Sequence, residues 1–456
     1  MNYWQIKSHH NLLIQKLILS LILIFNLNIE FDTLLFNNNI LFNKFIIQTD
    51  VILIIINLLY LIIIKSNIWK NRLFSMEVFI LLEIAILGLL LLLKSCNILI
   101  FFLCFELQTF CLYGLALLKK NSLTSNESGL KYFVTGALIS SIFILGCSFC
   151  YGFYGTINFL ELKIITEDKN FFFNFYSIFF IAMIFYKLGL FPLGQWMPDV
   201  YEASQNFITF FFSLVPKILY ILLLIILFNF WLKINFYSLS WIMMVICFFS
   251  IIIGSAFSLN QIRVKRLLTY SGIVQTSYVV LGISLQNINS LTSSLFFLCV
   301  YTGSVYLTWS ILLNLNIKQQ TIYITDFVGL NKSNIILSTG FIFLLFNFAG
   351  LPPFLGFFSK LMILDQVILK NHYLLATLIV LTSALSIFYY LKVSYVLYFR
   401  GVNNYLYNFI YRNLFTNSGM LNFFISSVCL FILLLGVVNS HFILIYLFKL
   451  ILILIN

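Results

Sequence analysis

Charge is what this sequence has least of. Only 9% of its 456 residues are Asp, Glu, Lys or Arg, and only 14 are acidic. A soluble domain carries about 25% charged residues, so a soluble fold is excluded for the chain as a whole. Proline is scarce too, at five residues, which makes each proline a positional event. The four histidines, His9, His10, His372 and His441, have no metal-ligand spacing. The eight cysteines make no iron–sulfur set and no C-x-x-C-H haem signature. Cys147 and Cys150 form a lone C-x-x-C inside an apolar run and are read as small buried side chains. There is no glycine-rich phosphate loop and no nucleophile–base pair. The chain itself is therefore expected to hold no metal, nucleotide or redox cofactor.

Apolar surface is what the chain has in abundance: 62% of its residues are hydrophobic. A membrane span needs about 20 apolar residues. Candidates by this criterion fall at 11–29, 48–64, 76–93, 97–118, 129–152, 173–193, 207–230, 236–258, 264–285, 291–314, 335–369, 374–398 and 421–447. The expected fold is all-α and polytopic, with about thirteen transmembrane helices. No Arg- and Ser-rich presequence precedes the first apolar run, Leu12 to Phe25. Phe, Ile, Leu, Asn, Lys and Tyr, all with AT-rich codons, are over-used, which points to an organelle-encoded protein.

The net charge of +12 is read as basic loops rather than as a nucleic-acid surface. With loops on alternating sides, thirteen cations collect on one side and six on the other, the latter with Glu161, Glu167 and Asp168. The positive-inside rule then puts the N-terminus on the inner side. Seven cations fall inside spans: Lys16, Lys131, Lys187, Lys217, Lys360, Lys392 and Lys449. The terminal two can snorkel to an interface.

Two of the interior lysines accompany helix breaks. Lys187 precedes Pro192 in KLGLFPLG, and Lys360 follows Pro352 and Pro353 in GLPPFLGFFSK. Proline removes a backbone donor and breaks the helix, and broken backbone at membrane depth is tolerated only inside protein or beside a wet cavity. The two breaks echo each other five spans apart, as an inverted repeat requires. The chain is accordingly divided into 1–75, accessory N-terminal helices; 76–230 and 231–398, two inverted halves; and 399–456, a loop and final helix.

Glu106, with Thr109 and Tyr113 on the same helix face, is the acidic candidate. Glu83 is either interfacial or turned to a neighbouring subunit. Lys131 opens its span and can snorkel. Lys217 follows Pro216, which frees the carbonyl of Phe212 for water. Lys265 and Arg266 either line a water path with Thr269, Gly272 and Thr276 or anchor the inner interface. Lys392 lies near a helix end. Burial favours a neutral lysine and a nearby carboxylate favours a charged one, so a Glu–Lys pair in a hydrated membrane core can switch proton-holding states. The expected chemistry is proton transfer.

Six stretches carry a family resemblance: ELQTFCLYGLALL (106–118), ESGLKYFVTGALISS (127–141), KLGLFPLGQWMPDVYEA (187–203), VPK (215–217), QIRVKRLLTYSGIVQTSYVVLGI (261–283) and FAGLPPFLGFFSK (348–360). In order, they resemble the antiporter-like proton-pumping subunits of respiratory complex I. The MPDVYEA corner and the lysine of the second break favour the subunit 2 branch. The resemblance implies a Glu106–Lys187 ion pair with Lys131 nearby, Lys217 as the central lysine, and Lys360 as the terminal site. Gly194 departs from the pattern, standing where the family carries a histidine.

The resemblance further implies a subunit of the mitochondrial inner membrane that translocates protons. NADH, FMN, iron–sulfur clusters and ubiquinone would be handled elsewhere in the complex. Implied partners are other membrane-arm subunits, including antiporter-like paralogues and small membrane subunits, with lipids such as cardiolipin and a respiratory supercomplex beyond them. No nucleic acid is expected. The alternatives are a subunit of a multisubunit cation/proton antiporter and a structural membrane-arm subunit that does not pump.

Overall fold

A computed structural model describes residues 39–68, 76–119, 122–165, 170–231, 236–314, 322–333 and 335–400, with a few isolated positions nearer the ends. The spans expected at 11–29 and 421–447, with Lys16, fall outside the well-described residues. The other eleven expected spans all lie on helices. In chain order these elements are a hairpin of Thr33–Leu35 (β1) and Ile40–Phe42 (β2), then α1 (Lys44–Ile68), α2 (Met76–Lys94), α3 (Ile98–Ala116), α4 (Leu123–Tyr154), α5 (Phe159–Ile165) and α6 (Asn170–Leu188). They continue with α7 (Trp196–Ala203), α8 (Asn206–Trp231), α9 (Phe236–Leu259), α10 (Val264–Ser284), α11 (Ile288–Asn314), α12 (Leu330–Ser333), α13 (Ile335–Ala349), α14 (Leu355–Leu369) and α15 (Tyr373–Tyr398). Eight of the described helices are long and apolar enough to cross a membrane. The hairpin, with Leu34 opposite Leu41, is a small departure from the all-helical expectation.

Helix boundaries differ from hydropathy boundaries for physical reasons. α4 starts at Leu123, several residues before its apolar run, and stops at Gly155, whose φ of 71° is left-handed. Hydropathy marks the apolar part of a helix, whereas caps mark its ends. α6 stops at Leu188 because Gly189 turns left-handed, with φ of 75°. The expected span to residue 193 is therefore cut short of Pro192. The second break behaves alike: α13 ends at Ala349, Gly350 has φ of 78°, and α14 begins at Leu355.

Contacts divide the chain into two units. The first comprises 1–188, 215–239 and 452–456; the second comprises 189–214 and 240–451. Residues 189–214, which the division at 230 assigns to the first half, group by contacts with the second unit. The physical reason is α7, whose Asp199 accepts a 2.8 Å bond from Arg266 of α10 and whose Glu202 pairs with Arg263 and Arg266.

Within the first unit, Phe101, Phe143, Phe159 and Phe180 fill the space between α3, α4, α5 and α6. The Phe143 and Phe180 rings meet edge to face at 4.5 Å, a favoured aromatic geometry. α2 lies close on α3 because Gly88 faces Leu107 without a side chain between them.

Within the second unit, glycine again decides how closely backbone can approach. A Cβ at Gly194 would run into the carbonyl of Gly189, and one at Gly356 into the carbonyl of Asn347. Gly194 therefore has no room for the family's histidine in this loop. Replacing it by Ala or His is expected to cost about 1–3 kcal/mol through overpacking and to lower the thermal midpoint of the purified protein in detergent. Gly303→Ala serves as the control, since nothing stands within 4 Å of the added Cβ, and it should leave the midpoint unchanged or raised. Equal midpoints for the two alanine variants would contradict the close approach at Gly194.

Candidate functional site

In the first unit the Lys187 side chain is confined by aromatic rings. It lies in the last turn of α6 and is 4% exposed. Its Nζ is 5.0 Å from the ring centres of Phe105 and Tyr132, 5.4 Å from that of Tyr186 and 5.6 Å from that of Tyr113. It donates one hydrogen bond, to the Tyr132 hydroxyl at 3.2 Å. Ring faces are negative, so this cage suits a cation. Gly136 makes room for it: a Cβ there would collide with the Tyr113 hydroxyl. Tyr132 and Tyr186 gave no signal in the sequence, because aromatic residues are common throughout an 18% aromatic chain.

Glu106 lies on α3, half-buried. Its Oε2 accepts a 3.2 Å bond from the Thr109 hydroxyl, as the expected polar stripe implies. The ion pair that the resemblance implied between Glu106 and Lys187 is not formed here. The carboxylate is held by Thr109 and the ammonium by Tyr132 and the ring cage. Lys131 does not join them either. It is 48% exposed and pairs with Glu127 at 2.8 Å one turn earlier on α4. A basic residue near the polar start of a helix reaches outward to charge or solvent. The same turn does reach the cage through backbone and hydroxyls: Thr135 bonds the Lys131 carbonyl at 2.7 Å and the Tyr186 hydroxyl at 2.9 Å.

Lys217 is buried on α8, directly after Pro216. One turn on, the buried Tyr220 hydroxyl donates to Oε1 of Gln108 on α3. Both oxygens of Glu83 are buried without a hydrogen-bond partner among the described residues, although parts of that side chain reach the surface of the chain.

The second unit handles its lysines through backbone carbonyls. Lys360 is 7% exposed. Its Nζ donates to the carbonyls of Phe348 at 3.0 Å and Ala349 at 2.7 Å, and to Ser386 Oγ at 3.4 Å. These are the carbonyls left without donors by Pro352 and Pro353. They lie at the C-terminal end of α13, where the helix dipole is negative. Gln275 also donates to Phe348 O at 3.1 Å, and Asn347 Oδ1 accepts from the Gly356 amide at 2.8 Å. Gly350 must lack a side chain, since a Cβ would stand 2.9 Å from Lys360 Cδ.

Lys265 is buried and donates to the Ser204 carbonyl at 2.6 Å, at the C-terminal cap of α7. It neither snorkels nor points to a surface. The carbonyl of Phe212, expected to be left to water by Pro216, instead accepts from the Tyr201 hydroxyl at 2.9 Å. Asp199 and Glu202, which the sequence offered only as a polar corner, hold Arg266 and Arg263. Lys392 is exposed on α15. Among the described residues, no three His, Cys, Asp or Glu side chains gather at metal-binding range.

Each unit thus holds a buried lysine next to a helix break, with hydroxyls and carbonyls around it that exchange hydrogen bonds. The family described as NADH:quinone oxidoreductase/Mrp antiporter, transmembrane, matches residues 95–386, which include Lys131, Lys187, Lys217, Lys265 and Lys360. The chain is 33% identical to the NADH-quinone oxidoreductase subunit N of Pelagibacter ubique, over 86% of this chain and 83% of that one. It is also 33% identical to the NADH-ubiquinone oxidoreductase chain 2 of Marchantia polymorpha, over 79% of this chain and 75% of that one. Its fold is similar to a chain of respiratory complex I from Thermus thermophilus solved with bound aureothin, with a TM-score of 0.70, 21% identity, and 86% and 85% of the two chains covered. The matched motifs, the two breaks and their lysines agree on one assignment: the chain belongs to the NADH:quinone oxidoreductase/Mrp antiporter transmembrane family.

Proposed function

We propose that the chain is a proton-translocating membrane-arm subunit of respiratory complex I, equivalent to subunit N or chain 2 of its relatives. The observation that carries this reading is Lys360, buried and bound to the carbonyls that a proline break has freed. An ammonium has three donors, and here two go to backbone and one to Ser386. When Lys360 gives up a proton, one of its three acceptors loses the lysine as a donor. Gln275 and Ser386, which also donate to Phe348 O and Ala349 O respectively, remain, so proton release is tied to a re-sharing of hydrogen bonds at the break. In the first unit the same chemistry is expected of Lys187, whose single hydrogen bond goes to a hydroxyl that can donate or accept.

The proposed relay comprises Glu106, Lys187 and Lys217 in the first unit and Lys265 and Lys360 in the second. Lys131 stands at its entrance, joined to the cage through Thr135 and Tyr186. The segments 76–230 and 231–398 are proposed as the two inverted halves, and 1–75 and 399–456 as additions. NADH, flavin, iron–sulfur and quinone chemistry belongs to other subunits of the complex. Membrane-arm neighbours are the proposed partners, with cardiolipin-type lipids and a supercomplex around them. The location proposed is the mitochondrial inner membrane, with the N-terminus on the matrix side. The second reading, a cation/proton antiporter subunit, is favoured by the shared family alone. Co-purification with flavin and iron–sulfur subunits would exclude it.

Lys187→Met and Glu106→Gln are expected to remove proton pumping from vesicles while the complex still assembles. Pumping at the wild-type proton-to-electron ratio would sink the relay. Tyr132→Phe keeps the ring and removes the one hydrogen bond to Lys187. A hydrogen bond to a charged group is worth about 1.5–3 kcal/mol, or roughly 10–100-fold in an equilibrium. Pumping in Tyr132→Phe should therefore slow by an order of magnitude or more, and a wild-type rate would show that the hydroxyl takes no part.

A further inference from the structure

The helices before the family-matched region hold a buried acid–base pair of their own. Asp50 lies in the second turn of α1, and Lys94 is the last residue of α2. Lys94 Nζ is 2.7 Å from Asp50 Oδ2, and the two side chains are 9% and 0% exposed respectively. The Phe42 ring of β2 lies 4.7 Å from the same ammonium. Both residues precede residue 95, where the family match begins. A buried ion pair is a poor device for stability alone, since an apolar pair of similar size often does as well or better. Its presence in a largely apolar segment calls for another use.

The pair is not sealed off. A cavity of about 40 Å³ in the first unit is lined by Lys94, Ser95, Phe101, Phe159, Leu223 and Leu227, among others. One water needs about 10–15 Å³ of such volume together with polar partners, and Lys94 and Ser95 provide them. Leu223 and Leu227 belong to α8. With Lys217 and Tyr220 they follow the three- and four-residue steps of a single helix face. Beside that stripe, Nε2 of Gln108 is buried without a hydrogen-bond partner among the described residues, while its Oε1 accepts from Tyr220. A buried donor of this kind marks a place for an ordered water. The α8 face that carries Lys217 and Tyr220 thus continues to Leu223 and Leu227 in the cavity wall, and Lys94, the partner of Asp50, lies in the same wall.

We propose that Asp50 and Lys94 form a second proton-carrying site, which takes protons from the cavity and delivers them to the aqueous face where α1 begins and α2 ends. The proposal rests on the proton-translocating reading above. In one cycle Lys94, which lines the cavity, passes one proton across the 2.7 Å contact to Asp50, so an N–H bond breaks and an O–H bond forms. The neutral Lys94 amine then takes a proton from a hydronium in the cavity, whose O–H bond breaks as the N–H bond forms. Asp50 releases its proton to the aqueous face, which restores the ion pair. One proton enters, one leaves, and nothing is oxidised or reduced.

Lys94→Arg is the deciding variant. Arginine keeps the charge and the ion pair but does not release its proton. The assembled complex, reconstituted in vesicles, is measured for protons moved per electron and for electron transfer with an uncoupler present. The expected result is wild-type assembly and uncoupled electron transfer with a lowered proton-to-electron ratio, and a wild-type ratio in Asp50→Glu, which retains a carboxyl. A wild-type ratio in Lys94→Arg overturns the proposal and leaves a structural clamp. The double variant Asp50→Leu with Lys94→Leu gives a second reading: if it assembles and pumps at the wild-type ratio, the proposal also falls. Lys217→Met serves as the reference. If it lowers the ratio and Lys94→Arg does not, only this proposal fails; if neither does, the relay fails with it.

Discussion

The rest of the structure depends on one exchange between backbone and side chain. Pro352 and Pro353 take amide donors away from the end of α13, and Lys360 supplies donors in their place. Each partner alone is costly. An intramembrane ammonium without partners costs several kcal/mol even on lenient insertion scales, about 2.5–3.5, and buried carbonyls without donors carry a desolvation penalty of their own. Together they satisfy one another, and the fold is built to hold them together. Gly350 clears space for the lysine, Gly356 lets the chain return against Asn347, and Ser386 on α15 receives the remaining donor. A proton on this lysine is therefore also a structural element.

The two breaks share their sequence pattern but differ in how the lysine is held. Lys360 faces carbonyls; Lys187 lies among four rings with one hydroxyl partner. Carbonyls fix an ammonium by direction, whereas ring faces attract it from a broader range of positions. The first arrangement suits a site that changes shape when its proton leaves. The second suits a site that hands its proton to a hydroxyl, that of Tyr132, while the Tyr186 hydroxyl braces the cage by bonding the Tyr132 carbonyl and Thr135. Both lie beside helix ends that glycines at positive φ define, at Gly189 and Gly350.

Much of this is legible in the sequence. Spans are read from hydropathy because the backbone must bond to itself in lipid, so each long apolar run within the described residues became a helix. The breaks were read from prolines, and the buried lysines from the rarity of charge. What was not legible depends on contacts far apart in sequence. Hydropathy placed Lys94 in a loop, yet it is the buried partner of Asp50, forty-four residues earlier. Lys265 had equal claims as a water-path residue or an interface anchor, and it instead caps α7. Lys131 resembled a family site in its motif, but its side chain turns outward to Glu127. Gly194, a departure from the family pattern, became intelligible only when Gly189 was seen to occupy the space of a side chain.

The most direct test is to watch Lys360 itself. Cryo-electron microscopy of the assembled complex, at rest and during NADH-driven turnover, would give the distance from Lys360 Nζ to the Ala349 carbonyl, which is 2.7 Å in the bound arrangement. Two populations are expected during turnover, one with this bond intact and one with the amine withdrawn and the break rearranged. A single bound position in both conditions, in particles that pump at the full ratio, would contradict it.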